Sequence, residues 1–397
     1  MTTQSMQALL KAGEVDKARA LAESALSKNK DDRGALLTLA KLASVDGDWN
    51  RVEELVNRAT KGGVEDTDSR LVRAALASSR GDTNAARALY TQVIREAKPP
   101  RAEAHFGLGY LLAADEDFAG ARKAFEKAVE LEPDVAAYRF HLARILLALE
   151  ELKLALPHLE RALELNPAYP PTYVIWSVVL QQLGEMETAE NLLRQGLKVL
   201  PDNPELLNQL GAVLAARGNV PEALGITKRL AVEYPDDAAL QGNLARMMMA
   251  TGRRQDALDV CRSLAARGLS TAQTKSIEAM VLESVEPPDI AGAITAWREA
   301  MDLDPEDWSS ANNLGNLLMR VEEGDADERL TAAAEILEEA LRRAPSRVEP
   351  LLNLAVVTAR RGDKAKAQAL ARDVLKKAPA SEKDIREQAE RLIQTLG

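Results

Sequence analysis

Cysteine and histidine are scarce in this sequence, which has one cysteine and three histidines among 397 residues. The single cysteine, Cys261, excludes a disulfide within the chain, and this usage is compatible with a reducing compartment. The histidines, His105, His141 and His158, have no Cys, Asp or Glu neighbour at the spacing of a metal site. We therefore expect no metal site and no cofactor, and structural roles for the three histidines.

Motifs of the common catalytic sites are also lacking. The sequence contains no phosphate-binding P-loop, no G-x-S-x-G and no H-E-x-x-H. Acidic pairs such as Asp31-Asp32 and Glu322-Glu323 are numerous, but charge runs on helices are usually solvated faces. The sequence therefore predicts a protein that is not an enzyme and has no catalytic residues.

Long apolar runs and an excess of positive charge are lacking as well. No segment reaches the roughly 20 apolar residues of a membrane span, and the first residues have neither the basic start nor the apolar run of a signal peptide. The net charge of −10 disfavours nucleic acid and anionic membranes and favours a basic protein partner. We expect a cytoplasmic protein, or a periplasmic one only if a leader has been removed.

Aromatic residues make up 4% of the chain, whereas apolar residues together make up 46%. Alanine and leucine must therefore do most of the packing, which suits closely spaced helices. A repeat explains the pattern, because an alanine recurs every 34 residues at Ala121, Ala155, Ala189, Ala223 and Ala257. The series continues at intervals of 34 to 40 residues through Ala86, Val52 and Ala18 upstream and Ala293, Ala333 and Ala367 downstream.

A second series of small residues has the same period and marks the expected crossing point of two helices. Its members are Ala40, Ala74, Gly109, Ala143, Ser177, Gly211, Ala245, Gly315 and Ala355. Together the two series indicate eleven units, each with two amphipathic helices, and prolines such as Pro133 and Pro167 separate successive units.

The stretch from Ala102 to Pro133, with Gly109, Ala121 and Phe125 at its landmarks, resembles one tetratricopeptide repeat, and the whole chain resembles a free-standing multi-repeat protein of bacterial type. The resemblance implies an all-α fold, an α-solenoid forming a right-handed superhelix of about eleven helix-turn-helix repeats with a C-terminal capping helix. We expect one domain, 1–397. Its expected parts are repeats at 1–32, 33–66, 67–101, 102–135, 136–169, 170–203, 204–237, 238–273, 274–307, 308–347 and 348–380, and a capping helix at 381–397.

Repeats nine and ten depart from the regular pattern. Repeat nine has Val285-Glu286-Pro287-Pro288-Asp289 in place of a glycine turn, and repeat ten has six extra residues within 321–328. Both changes are predicted to lie in the loop between the two helices. At the C-terminus, Ser381 is predicted to cap a last helix whose apolar stripe covers the final repeat.

In this family the first helix of each repeat lines a concave groove, which implies a set of partner-binding positions. In repeats four to six these positions are Phe106, Tyr110, Phe140, Arg144, Val174 and Val178. From repeat seven onward they are Asn208, Asn243, Arg246, Asn312, Asn313, Asn316 and Asn353.

Each part of this groove has a second interpretation. Phe106 and Phe140 can instead pack on neighbouring first helices and stiffen the solenoid. Asn243, Asn313 and Asn353 can instead form hydrogen bonds between adjacent helices. As binding residues they resemble the asparagine ladder of O-linked N-acetylglucosamine transferases, whose amides hold a peptide backbone. The convex face and the loop at 322–328 are alternative binding surfaces.

The resemblance implies a scaffold or adaptor that binds a protein or peptide segment in its groove. The alternative is a substrate-recognition superhelix for an enzyme whose catalytic domain lies on another chain. A clamp for a C-terminal carboxylate, as in chaperone-binding members, is disfavoured because the corresponding positions, such as Leu37 and Leu71, are mostly apolar. Self-association is left open.

Overall fold

Helices account for all the regular secondary structure in the described part of the chain. The computed structural model describes residues 2–11, 14–63, 65–322, 324–379 and 381–397, which contain 23 α-helices and no strand. The helices are α1 (Thr2–Lys11), α2 (Val15–Lys28), α3 (Arg33–Val45), α4 (Trp49–Ala59), α5 (Thr67–Ser79), α6 (Thr83–Glu96), α7 (Ala102–Ala114), α8 (Phe118–Leu131), α9 (Ala136–Ala148), α10 (Leu152–Leu165), α11 (Pro170–Gln182), α12 (Met186–Val199), α13 (Pro204–Ala216), α14 (Val220–Glu233), α15 (Ala238–Ala250), α16 (Arg254–Ala266), α17 (Ala272–Ser284), α18 (Ile290–Leu303), α19 (Trp308–Arg320), α20 (Ala326–Arg343), α21 (Glu349–Arg360), α22 (Lys364–Lys377) and α23 (Lys383–Leu396).

These helices form eleven pairs and one further helix, which confirms the predicted all-α solenoid with a C-terminal capping helix. The chain divides into two units, Met1–Gln209 and Leu210–Gly397. Contacts of α13 aside, each odd-numbered helix up to α21 packs on the even-numbered helix that follows it, and that helix packs on the next odd-numbered one. We call the odd-numbered helices up to α21 the first helices and their even-numbered partners the second helices.

The two predicted series of small residues lie where helices pack most closely. All eleven members of the first series have no exposed surface. In the second series, a Cβ atom added to Gly109 would lie 2.9 Å from Cε1 of Phe125, and one added to Gly315 would lie 2.6 Å from Cγ of Leu337. A larger residue therefore cannot fit at either glycine unless the facing side chain moves.

Tight turns join the two helices of most repeats. Gly47 and Gly81 have φ angles of 74° and 77°, a region that glycine enters at low cost. The aspartate that follows each glycine caps the second helix, since Asp48 accepts a hydrogen bond from the backbone N–H of Arg51 at 3.0 Å and Asp82 caps α6 in the same way.

Four arginines of the second helices or their ends bind the loop that precedes their own repeat. The bonds are those of Arg58 to the carbonyl oxygen of Lys30 (2.8 Å), Arg161 to the carboxylate of Asp134 (2.7 Å), Arg267 to the carbonyl oxygen of Pro235 (2.9 Å) and Arg343 to the carbonyl oxygen of Asp307 (3.1 Å). We call them the loop-holding arginines. Each one joins a second helix to the start of the first helix beside it.

The insertion in repeat ten differs from the prediction. Helix α20 has 18 residues, against 14 in α18, so part of the insertion extends the helix instead of the loop. Asp325 caps α20 by accepting from the backbone N–H groups of Asp327 and Glu328, both at 2.9 Å, and those two acidic residues lie in the first turn. Capping and the favourable placement of negative charge at a helix N-terminus explain the added turn.

Helix α23 covers the last pair, as predicted. Ala389 is fully buried, and Ile385, Leu392 and Ile393 pack against the same core. Arg386 donates to the carbonyl oxygens of Leu375 at 2.7 Å and Ala378 at 2.8 Å, at the end of α22. The N-cap is Glu382, without a side-chain bond, so the predicted serine cap is wrong.

Candidate binding groove

A large cleft lies on first helices of the first unit. It has a volume of about 570 Å³ and is formed mainly by α3, α5 and α7, with one side chain each from α4 and α6. We call it the upstream cleft. Its lining residues are Lys41, Ser44, Trp49, Leu71, Val72, Ala75, Ser78, Ser79, Tyr90, Glu103, Phe106, Gly107 and Tyr110.

The walls of the upstream cleft are largely apolar and aromatic. Leu71 and Val72 are 6% and 4% exposed and belong to the core of the first unit. Tyr110, at the C-terminal half of α7, keeps 49% of its surface exposed. A half-exposed aromatic side chain beside an apolar cleft is typical of sites that bury a partner side chain.

Tyr90 reaches this cleft from the second helix α6. A Cβ atom at Gly107 would lie 2.2 Å from Cζ of Tyr90, so the hydroxyl-bearing end of the ring lies directly on the backbone of α7. A side chain at position 107 therefore fits only if the Tyr90 ring moves. The Tyr90 side chain is 7% exposed, and burial raises the pKa of its phenol to about 12, so the hydroxyl is protonated at neutral pH.

The charged residues of the cleft rim are paired with one another. Nζ of Lys41 lies 3.1 Å from Oδ1 of Asp68, and the same oxygen lies 3.0 Å from Nη2 of Arg101. Nη2 of Arg101 also lies 2.9 Å from Oε1 of Glu103. Burial alone would raise the pKa of the Asp68 carboxyl, but Lys41 and Arg101 outweigh burial and the pKa is lowered. These four alternating charges thus join α3, α5 and α7, and their sum is zero.

A second cleft brings together four of the predicted groove residues. It has a volume of about 350 Å³ and lies on α9, α11 and the first-unit part of α13. We call it the downstream cleft. Its lining residues are Phe140, Arg144, Pro171, Val174, Ile175, Glu205, Asn208 and Gln209. Arg144 is exposed and has no ion pair within the described residues, so its guanidinium is available to a ligand.

Aromatic rings link the two clefts through His141. The ring of Phe106 lies 4.9 Å from that of Tyr138 and 5.2 Å from that of His141, and the ring of Phe140 lies 5.2 Å from His141 and 5.3 Å from Tyr169. Phe140 is only 5% exposed. Its ring therefore offers little surface to a partner, and its contacts fit the stiffening interpretation.

His141 is neutral over most of the physiological pH range. Burial, and then the nearby positive charge of Arg144, lower its pKa to about 4. The structural role predicted for this histidine agrees with its ring contacts to Phe106, Phe125 and Phe140.

Two family models, both described as tetratricopeptide repeat, match the sequence. One matches residues 71–130, 111–170 and 325–382, and the other matches residues 9–78 and 180–242, so together they cover more than half of the chain. The chain belongs to the tetratricopeptide repeat family. The two clefts accordingly lie on the first helices of tetratricopeptide repeats two to four and five to seven.

Two solved structures have a similar fold. Yeast Tom70 matches with a TM-score of 0.60 at 16% sequence identity, over 100% of this chain and 94% of that one. A tetratricopeptide repeat protein from Parabacteroides merdae matches with a TM-score of 0.56 at 17% identity, over 64% of this chain and 99% of that one. Identities this low show the fold alone. Among curated proteins, the search found no match.

The predicted asparagines of the later tetratricopeptide repeats do not act as one group. Asn353 donates to the side-chain oxygen of Asn312 at 2.9 Å, so the interpretation as a bond between adjacent helices is confirmed for Asn353. Asn243 accepts a hydrogen bond from Arg246 within α15. Asn313 and Asn316 are half-buried in α19.

One predicted groove residue of the first unit lies apart. Val178 is half-buried in α11 and lines neither cleft. The upstream cleft includes residues that the sequence did not indicate as binding positions, above all Ala75, Tyr90 and Gly107. The available signals were a glycine inside a helix and a tyrosine at the repeat position where Phe125 and Trp297 stand in other repeats.

Other kinds of site find no support in the described residues. Within them, no three His, Cys, Asp or Glu side chains are grouped as metal ligands. None of the described helices combines the length and the apolar character needed to cross a bilayer. Cys261 is buried, and burial raises the pKa of its thiol to about 12, so it is not an activated nucleophile.

Proposed function

We propose that this tetratricopeptide repeat protein is a non-enzymatic scaffold that binds a segment of a partner protein on the first helices of its first unit. The upstream cleft is the observation that carries the proposal, because it combines apolar walls, a half-exposed Tyr110 and a volume of about 570 Å³. Pockets that bury ligand groups have volumes of about 300–1,000 Å³ and are mostly apolar.

The downstream cleft supports a longer contact. Arg144 and Asn208 offer a cation and an amide beside the apolar Val174, and these groups would bind polar atoms of the same segment. The chain's net charge of −10 favours association with a segment whose flanks are basic.

Site-specific photo-cross-linking tests the proposal even while the partner is unidentified. A benzophenone amino acid placed at Tyr110 would mark the upstream cleft, and the same group at the exposed Ala119 of α8 would mark a second-helix surface. We expect position 110, and not 119, to cross-link one protein in cells. Cross-links from position 119, with none from position 110, would contradict the proposed site.

A filled cleft provides the quantitative test once the partner is identified. Ala75→Leu adds volume inside the upstream cleft, and Ala119→Leu makes the same change on an exposed face. We expect Ala75→Leu to weaken binding about tenfold or more, and Ala119→Leu to change it less than twofold, in calorimetric titrations. Recovery of a catalytic chain as the stoichiometric partner would favour the alternative of a recognition superhelix.

A further inference from the structure

The hydroxyl group of Tyr90 lacks a hydrogen-bond partner among the described residues. Tyrosine hydroxyls at interfaces usually find a partner, because the ring is apolar and its far end is polar. Tyr90 is only 7% exposed, and it lines the upstream cleft. The part of the ring that carries the hydroxyl lies against Gly107, which lines the same cleft. The free hydroxyl is therefore presented to whatever enters the cleft.

The other cleft residues restrict the chemistry of that ligand. Three aromatic side chains, Trp49, Phe106 and Tyr110, line the walls and favour a ring as occupant. The charged rim residues Lys41 and Glu103 already have partners in the row of ion pairs, so the cleft does not require a charged ligand. The polar side chains of Ser44, Ser78 and Ser79 also line the cleft, which allows the polar backbone of a partner segment to lie there.

We infer that the upstream cleft binds a neutral polar aromatic side chain, tryptophan or tyrosine, whose N–H or O–H group forms a hydrogen bond with the Tyr90 hydroxyl. This inference rests on the proposed function, since the side chain would belong to the partner segment. Tryptophan and tyrosine are also the residues that most often dominate interfaces, because they combine a large apolar area with one polar atom.

Indole and its carbocyclic isostere indene test the inference directly, since they differ in the N–H group. Binding would be followed by methyl NMR of Leu71 and Val72 in the full-length protein. We expect indole to shift these methyl signals and Tyr90→Phe to weaken indole binding about fivefold, whereas indene binding changes less than twofold. Equal effects of Tyr90→Phe on both compounds, or indole binding without shifts at Leu71 and Val72, would overturn the inference.

Two further variants control the experiment. Tyr138→Phe removes a hydroxyl from a tyrosine that is also 7% exposed but does not line the cleft, and it should leave indole binding unchanged. Ala75→Leu should abolish indole binding with Tyr90 intact, which keeps the test valid even if Tyr90→Phe alters the fold. Because the fragments need no partner, their result is independent of cross-linking at Tyr110, and either experiment can fail while the other succeeds.

Discussion

Asn353 of α21 donates a hydrogen bond from Nδ2 to Oδ1 of Asn312 in α19, over 2.9 Å. We expect Asn353→Ala to lower the free energy of unfolding by about 1 kcal/mol, because the bond between two first helices is lost. Asn316→Ala is the matched control, since its side chain has no hydrogen bond within the described part of α19, and it should cost less than about 0.5 kcal/mol. Urea unfolding of both variants measures the difference, and equal costs would contradict a stabilising role for the amide pair.

Two helix glycines differ in their surroundings and should respond oppositely to alanine. A Cβ at Gly109 would lie 2.9 Å from the Phe125 ring, whereas a Cβ at Gly225 meets no atom within 4 Å. We expect Gly109→Ala to destabilise by about 1–3 kcal/mol through overpacking, and Gly225→Ala to stabilise by about 0.5–1 kcal/mol through helix propensity. Thermal and urea unfolding report both changes. A stabilising Gly109→Ala would show that the first and second helices can separate without cost.

Alanine substitutions of Phe140 and Tyr110 should distinguish a structural role from a binding role. Phe140 is 5% exposed and Tyr110 is 49% exposed, although both were predicted as binding residues. We expect Phe140→Ala to cost about 3 kcal/mol of stability, because a buried ring is replaced by a cavity, and Tyr110→Ala to cost less than about 1 kcal/mol. Melting temperatures of the two variants report this difference in stability. A stable Phe140→Ala variant with weakened partner binding would return Phe140 to the binding surface.

Acidification should destabilise the first unit through His141. The unfolded chain binds a proton at this imidazole below its ordinary pKa of about 6.5, whereas the folded protein does so only near pH 4. Between these values the unfolded state holds more protons, so stability falls as the pH is lowered, by about 1–3 kcal/mol over the whole window.

His141→Phe keeps a ring among the aromatic neighbours and removes the titrating group. We expect the variant to lose less stability than the unmodified protein when urea unfolding is compared at about pH 7 and about pH 4.5. The same dependence on pH in both proteins would assign the effect to other groups, such as the half-buried His105 and His158.

The sequence was sufficient to predict the fold because small residues at regular intervals mark each repeat. Each small residue of the first series lies where a second helix packs closely, so the period runs through the whole chain, as the fully buried Ala18 and Ala367 show near its two ends. The details at helix ends were harder to predict. The N-cap of α23 is Glu382 and not Ser381, because several polar residues there compete for one position.

The site was predicted only in part, for a geometric reason. Positions on a first helix follow from the repeat, which is why Phe140, Arg144, Val174 and Asn208 were found together in the downstream cleft. The upstream cleft depends on Tyr90, whose side chain leaves its own repeat and reaches the next one over Gly107. A contact between repeats of this kind needs two unusual residues at once, and periodicity alone does not pair them.

The loop-holding arginines bear on how such a chain changes length during evolution. In each bond the acceptor lies at the end of one repeat and the arginine in the next, as for Lys30 and Arg58 or Asp134 and Arg161. Duplication or loss of a whole repeat therefore gives the arginine a new neighbour. A backbone carbonyl such as that of Lys30 is supplied by any residue at the same place, whereas the carboxylate of Asp134 must recur there for its bond to form.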